Sequence, residues 1–210
     1  MLNKAMSLSP DAQSRPLADS PRIFDNAVLD YFSRVNYRTP PLFYGPIAAA
    51  LALWAVTRLG WGQAFAGFCL GYVVWTLNEY LGHRFMFHFE GKSPAARRFH
   101  FLVHGVHHDY PNDLSRVVMP LPMSLLMMSI AVIVLFSLGG AWFPALMAGF
   151  VVGYLGYDVV HAYVHCAEPR GALGRYLKRA HMLHHFRDQG RGFGVSAPWW
   201  DYVFGTSPRM

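Results

Sequence analysis

Cysteine is nearly absent: Cys69 and Cys166 are the only two in 210 residues. Neither belongs to a C-x-x-C pair, which argues against a thiolate zinc site and a disulfide framework. Both read as reduced, small apolar side chains. Charge is scarce too. Asp, Glu, Lys and Arg make up 14% of the chain against 53% apolar residues, low for a soluble domain and typical of a membrane protein. The net charge is +6, yet no basic stripe runs along a soluble face, so nucleic acid is not an expected partner. The first forty residues lack the n-region and h-region of a cleavable signal, so insertion is expected to begin with the first membrane segment. Histidine is missing from both ends of the chain: all eleven lie between His83 and His185.

Residues 1–21 are rich in Ser, Pro, Asp and Ala and are expected to be disordered. Residues 22–41 form a separate short unit. Its stretch 22–36 alternates apolar and charged positions at helical spacing, which fits an amphipathic surface helix or one lying in a membrane interface. Thr39-Pro40-Pro41 is expected to stop it. Residues 42–206 form the main domain. Four apolar stretches follow: Leu42 to Trp61, Gln63 to Leu81, Val117 to Leu138 and Trp142 to Val160. Each is close to the roughly 20 residues a helix needs to cross a bilayer. Short turns at Gly60-Trp61-Gly62 and Gly139-Gly140 make two hairpins. Gly67-x-x-x-Gly71 and Gly149-x-x-x-Gly153 fit small-residue contacts inside one bundle. The methionines of the third stretch, Met119, Met123, Met127 and Met128, read as packing residues rather than ligands.

The basic residues orient this arrangement. Of the 18 Lys and Arg, only Arg58 lies near the first turn and none lies at Gly139-Gly140. The rest sit in the N-terminal segment, the middle loop and the C-terminal part. The positive-inside rule puts both termini and the middle loop in the cytoplasm. The expected fold is therefore all-α: an integral membrane bundle of four transmembrane helices under a cytoplasmic, histidine-rich helical cap.

The histidines come in four groups, and all fall on that one side. They are His83 and His88; His100, His104, His107 and His108; His161 and His165; His181, His184 and His185. Spacings of three and four put side chains on one helical face, and neutral imidazole is the commonest metal ligand. His83 and His88 are five apart, so they converge only if the second segment loosens or ends between them. A lone histidine is usually a satisfied core or surface residue; four groups at ligand spacing on one side argue against that. His100 stands equally as a ligand or as an outer partner. An all-nitrogen set suits Zn, Fe, Cu or Ni, and so many ligands suggest two ions rather than one closed structural zinc. Iron can activate dioxygen and zinc cannot. Asp158, three residues before His161, is an ionisable group inside an apolar segment, which is costly and usually functional. It is expected to orient a ligating histidine rather than bind metal itself.

The run His104-Gly105-Val106-His107-His108-Asp109-Tyr110-Pro111-Asn112-Asp113, followed by Ser115-Arg116-Val117-Val118-Met119-Pro120, resembles the signature of fatty acid 2-hydroxylases of the membrane fatty acid hydroxylase/sterol desaturase superfamily. The likeness continues in Glu79-Tyr80-x-x-His83-Arg84-Phe85-x-Phe87-His88, in Tyr157-Asp158-x-x-His161-x-x-x-His165, in Lys178-Arg179-Ala180-His181-x-x-His184-His185-Phe186 and in the tail from Gly192 to Thr206. It implies a membrane hydroxylase domain with two metal ions, iron for turnover and zinc in isolated protein. It also implies O2-dependent hydroxylation at C2 of a long fatty acyl chain, often one destined for sphingolipid. By position, the implied ligands are His83, His88, His104, His107, His108, His161, His165, His181, His184 and His185. Many relatives carry a cytochrome b5 domain for which this chain has no room. Its electrons are therefore expected from a separate cytochrome b5-like protein, ferredoxin or reductase. Ala162 stands where relatives often have Tyr.

Two other readings compete. Another lipid oxidase, such as a carotenoid ring hydroxylase or sterol oxidase, would share the histidines but not the residues between His108 and Pro120. A metal transporter or metal-storing membrane protein would place polar residues near the bilayer midplane, whereas these histidines sit at one edge.

Overall fold

The computed structural model describes residues 20–89 and 91–210. The expectation of disorder for residues 1–21 lies outside these, apart from Ser20 and Pro21. Every regular element among the described residues is helical.

The first helix, α1 (Ala27–Phe32), is only six residues long and is capped by the Asn26 side chain, which accepts from Val28 N and Leu29 N. Thr39-Pro40-Pro41 does not end that helix. It opens the next one, α2 (Thr39–Leu59), with proline in its first turn. Proline suits that position because its missing N–H would have no partner there anyway. The short α1 is turned inside out relative to a soluble surface helix. Val28, Leu29, Tyr31 and Phe32 are exposed, while Asp30 is buried.

Gly60 (φ +75°) turns the chain from α2 into α3 (Trp61–Gly82). After an intervening segment, α6 (Leu121–Gly139) and α7 (Phe143–Cys166) form the second hairpin through a short 3-10 turn at Gly140–Trp142. The last of these, α7, is the central post. Ala145, Ala148, Val151 and Tyr154 are almost wholly buried along it, and both α3 and α2 pack on it. Glycine makes the α3–α7 approach possible. A Cβ at Gly71 would strike the Leu146 carbonyl, and one at Gly149 would strike the Phe68 carbonyl. The two Gly-x-x-x-Gly motifs thus face each other inside one bundle.

The outside of the bundle is greasy. Leu42, Leu53, Phe65, Ile133, Phe136 and Leu138 are each more than 60% exposed, an apolar surface far beyond what a soluble monomer shows. Thr39–Leu59 and the hairpin Leu121–Cys166 are long and apolar enough to cross a membrane. The equally long α3 is less apolar, because Gln63, Asn78 and Glu79 interrupt it.

The shorter helices are α4 (Pro94–His100), α5 (Val106–Asp109), α8 (Ala172–Phe186) and α9 (Trp199–Val203). Two π-helical turns, His83–Phe87 and Phe101–Gly105, extend α3 and α4. Residues 20–36 are strapped to the loop after α5. Ser20 and Arg34 bond to Asp113, and Arg116 pairs with Asp30 at 3.6 Å. The Arg116 and Asp113 side chains are nearly buried.

Candidate metal centre

All ten histidines of the implied ligand set come together, in two groups of five. His83, His88, His104, His108 and His184 form one; His107, His161, His165, His181 and His185 form the other. Within each group the candidate ligand nitrogens all lie within 4.8 Å of one another. The groups touch: the rings of His108 and His185 stack with centroids 4.2 Å apart.

Helical spacing explains which residue joins which group. The i, i+4 pairs stay together: His104 with His108, His161 with His165, His181 with His185. The i+3 members cross over, so His107 joins the second group and His184 the first. The expectation that each triplet shares one face is corrected in this respect. A step of three turns a helix by 300° and a step of four by 400°, and two adjacent clusters resolve that difference. His83 and His88 meet because α3 widens before it ends. In the π-turn the His88 amide donates to the His83 carbonyl across five residues, and the two Nε2 atoms lie 3.3 Å apart. Such turns are rare and recur at functional sites.

The donor set fits metal ions. Within the first group, Nε2 atoms approach at 3.1 Å (His83–His104), 3.0 Å (His88–His184) and 2.9 Å (His104–His108). In the second, His165–His181 and His181–His185 are 2.8 and 3.1 Å apart. A metal–nitrogen bond of about 2.0–2.1 Å puts adjacent ligand nitrogens about 2.9–3.4 Å apart. The buried Nδ1 and Nε2 atoms of His107 and His161 have no hydrogen-bond partner, a cost that a bound cation would relieve. Burial away from water, with crowding by the other imidazoles, drives these rings toward the neutral form. His88 is pushed down to about 3 and His108 to about 2. His184 is pushed to about 4 by burial alone. Each therefore offers a lone pair at neutral pH.

Outer partners orient several rings. His83 Nδ1 donates to the Phe193 carbonyl at 2.7 Å, and His184 Nδ1 to the Arg191 carbonyl at 2.8 Å, so both keep Nε2 free for a ligand. The carbonyls of Val117 and Pro111 face His161 and His165, short of regular hydrogen bonds. None of these four carbonyls could be picked out in the sequence, because a backbone acceptor has no residue signature. Asp158 is fully buried one turn below His161, and neither of its oxygens has a regular hydrogen bond to a histidine. The Tyr154 hydroxyl and the Met119 backbone face it. His100 joins neither group; its ring lies 6.4 Å from that of His88. Ala162 is buried beside Val117 and Val118.

An apolar groove of about 350 Å³ runs up to the centre between α3 and α6, which scarcely meet each other. Trp75, Phe150 and Ala131 line its depth, Met123 and Met127 its side, and Glu79, His83 and Phe87 its upper end. A second, smaller cavity of about 40 Å³, the neck, lies against it and shares Phe87, Met119, Met123 and Tyr157 with it. The neck is walled by His104 of the first group and by His107 and His161 of the second. Glu79 ties the groove to the tail: its carboxylate accepts from both the amide (2.7 Å) and the hydroxyl of Ser196.

Known proteins resemble this chain in sequence and in fold. The family described as fatty acid hydroxylase matches residues 68–206. A dihydroceramide fatty acyl 2-hydroxylase of Arabidopsis thaliana is 34% identical over 192 residues, covering 90% of this chain and 81% of that protein. The fatty acid 2-hydroxylase of Rattus norvegicus is 34% identical over 91% of this chain, which spans 58% of that longer protein. The ceramide very long chain fatty acid hydroxylase of Saccharomyces cerevisiae is 41% identical over 143 residues, 66% of this chain and 37% of the yeast protein. Among solved structures, full-length scs7p, of which only the hydroxylase domain is visible, superimposes with a TM-score of 0.82. That match has 34% identity and covers 88% of this chain and 70% of that one. With an all-helical hydroxylase fold, an apolar exterior and ten clustered histidines, this chain belongs to the fatty acid hydroxylase family of oxidoreductases.

Proposed function

We propose that the chain hydroxylates C2 of a long-chain fatty acyl group, such as that of a sphingolipid, with O2 as oxidant. One oxygen atom enters the C–H bond and the other leaves as water. Two electrons come from a separate donor, a cytochrome b5-like protein, ferredoxin or reductase, and two protons from solvent. The observation that carries this reading is an apolar groove between α3 and α6 beside a second cavity that shares four of its wall residues and is lined by histidines of both clusters.

His83, His88, His104, His108 and His184 would hold one ion, and His107, His161, His165, His181 and His185 the other. Two irons bound there would supply redox chemistry able to activate dioxygen; zinc could occupy the same nitrogens without it. The chain's own residues bind and orient. Met123, Met127 and Ala131 hold the acyl chain, and the groove has room for roughly a dozen methylene- or water-sized groups. A longer chain extends out between α3 and α6 into the bilayer. Phe87 and Tyr157 narrow the neck, exclude water and leave only the carbon beside the carbonyl in reach of the centre. The polar end then lies against the loop from Asp109 to Arg116 and the aromatic tail of Trp199, Trp200, Tyr202 and Phe204. Asp158, with Tyr154, supports His161 from below.

In this reading α2, α3, α6 and α7 all cross the bilayer, and residues 42–206 make up the hydroxylase domain. The cap, both termini and the ions lie in the cytoplasm, a placement that the distribution of Lys and Arg favours. The outward apolar face of α1 supports a place in the membrane interface for residues 22–41. Mass spectrometry of lipids from cells with and without the chain tests the reaction. Accumulated 2-hydroxy acyl lipids are expected; a ring-hydroxylated lipid, or metal uptake with no new lipid, would refute it.

A further inference from the structure

Residues 191–206 contain no histidine, yet two histidines depend on them. The Phe193 carbonyl holds the Nδ1–H of His83 and the Arg191 carbonyl that of His184. The Phe193 ring also packs edge-on against His83, His88 and His184, with centroids 5.6–5.7 Å away. All three rings belong to one cluster. Among the described residues, no hydrogen bond joins 191–206 to a histidine of the other cluster.

A buried carboxylate fixes those two carbonyls. Asp201, 1% exposed, accepts from Phe193 N at 3.0 Å and Thr206 Oγ1 at 2.8 Å through one oxygen, and from Gly194 N at 2.8 Å through the other. Thr206 closes the loop again. Its carbonyl accepts from Gly192 N at 2.9 Å, and its hydroxyl is bonded to Tyr80 at 2.8 Å, on the helix that carries His83. The turn admits little else: Gly192 has φ +79°, and a Cβ at Gly194 would strike the Ala197 carbonyl. Burying a carboxylate is costly unless its oxygens are paired. Here three donors satisfy it. One of them, the Gly194 amide, shares its peptide unit with the Phe193 carbonyl, and the Gly192 amide held by Thr206 shares its unit with the Arg191 carbonyl.

We infer that Asp201 is a positioning residue for one ion only, that of the His83/His88/His104/His108/His184 cluster. Through the Phe193 and Arg191 carbonyls it keeps the protons of His83 and His184 on Nδ1 and their Nε2 lone pairs turned inward. The inference rests on the reading that each cluster takes an ion. Loss of such an outer partner typically weakens metal affinity about 10–100-fold.

The test uses the full chain in detergent, stripped of metal and titrated with Zn2+ against a competing chelator. In parallel, nitrogen NMR of labelled histidine reads the ring tautomers. Asp201→Asn keeps the shape but turns an NH2 toward a backbone amide. Thr206→Val removes the closing hydroxyl, and Thr206→Ser restores it. The wild type should take two zinc ions. Asp201→Asn should weaken one of them about 10–100-fold and leave the other unchanged, while His83 and His184 lose their fixed Nδ1–H signals and the ring signals of the other cluster stay as in the wild type. Thr206→Val should act in the same direction and Thr206→Ser should recover. If Asp201→Asn fails to fold, the Thr206 pair decides. Equal weakening at both sites, or unchanged tautomers at His83 and His184, would overturn the inference. A wild type holding only one zinc would instead refute the two-ion reading, and the tautomers would still judge the clamp.

Discussion

At the scale of single residues, the centre is a set of imidazoles kept neutral by burial. His88, held down to about 3, and His184, held to about 4, are far below the roughly 6.5 of an unfolded chain. As pH falls through that unfolded value, the unfolded state takes up protons that the folded state refuses, so stability is lost with acid. The metal-stripped protein should therefore melt at a lower temperature at pH 5 than at pH 7.5; an unchanged or higher melting point would contradict the assignment. His107 has both ring nitrogens buried and unpartnered. Replacing it by Ala removes two unsatisfied atoms along with a ligand, so His107→Ala should still fold while losing metal and turnover. Full metal content and activity in that variant would rule out its cluster as a metal site. Asp158→Asn should be milder, costing about 10–100-fold in activity or affinity, as measured by steady-state turnover and zinc titration.

Helices and turns decide what the sequence could and could not disclose. The ten candidate ligands were legible because imidazole is a distinctive group and its i, i+4 repeats are a helical signal. How they divide into two clusters was not, because a step of three residues suits either neighbouring face. The meeting of His83 and His88 depends on a π-turn, which leaves no periodic trace. Thr39-Pro40-Pro41 was read as a stop because proline ends helices, but it also begins them, and here it begins α2. The carbonyls of Arg191 and Phe193 were invisible for a simpler reason: any residue could supply them. The glycine motifs were legible as close-packing sites, and the α3–α7 contact explains them. Gly149→Val would push a side chain into the Phe68 backbone, and overpacking of this kind costs about 1–3 kcal/mol. Thermal unfolding in detergent should show that loss. Gly82→Ala, which meets nothing within 4 Å, should leave the melting point unchanged, and equal effects would place the helix contact elsewhere.

Over the whole molecule, the proposed function needs an apolar bundle, one apolar groove and a two-part histidine centre to form a single path from the bilayer to the ions. The orientation of that path can be read directly. With Cys69 and Cys166 replaced by Ser, a cysteine placed at Ala141, in the turn between α6 and α7, should react with an impermeant thiol reagent only from outside the cell. Labelling from the cytoplasmic side would invert the topology. The central claim is that the centre inserts oxygen from O2 at the carbon nearest the acyl carbonyl, and isotope tracing tests it most directly. Cells expressing the chain under 18O2 should yield acyl lipids carrying one 18O in a hydroxyl at C2. Label arriving from water, or a hydroxyl at another carbon, would contradict it.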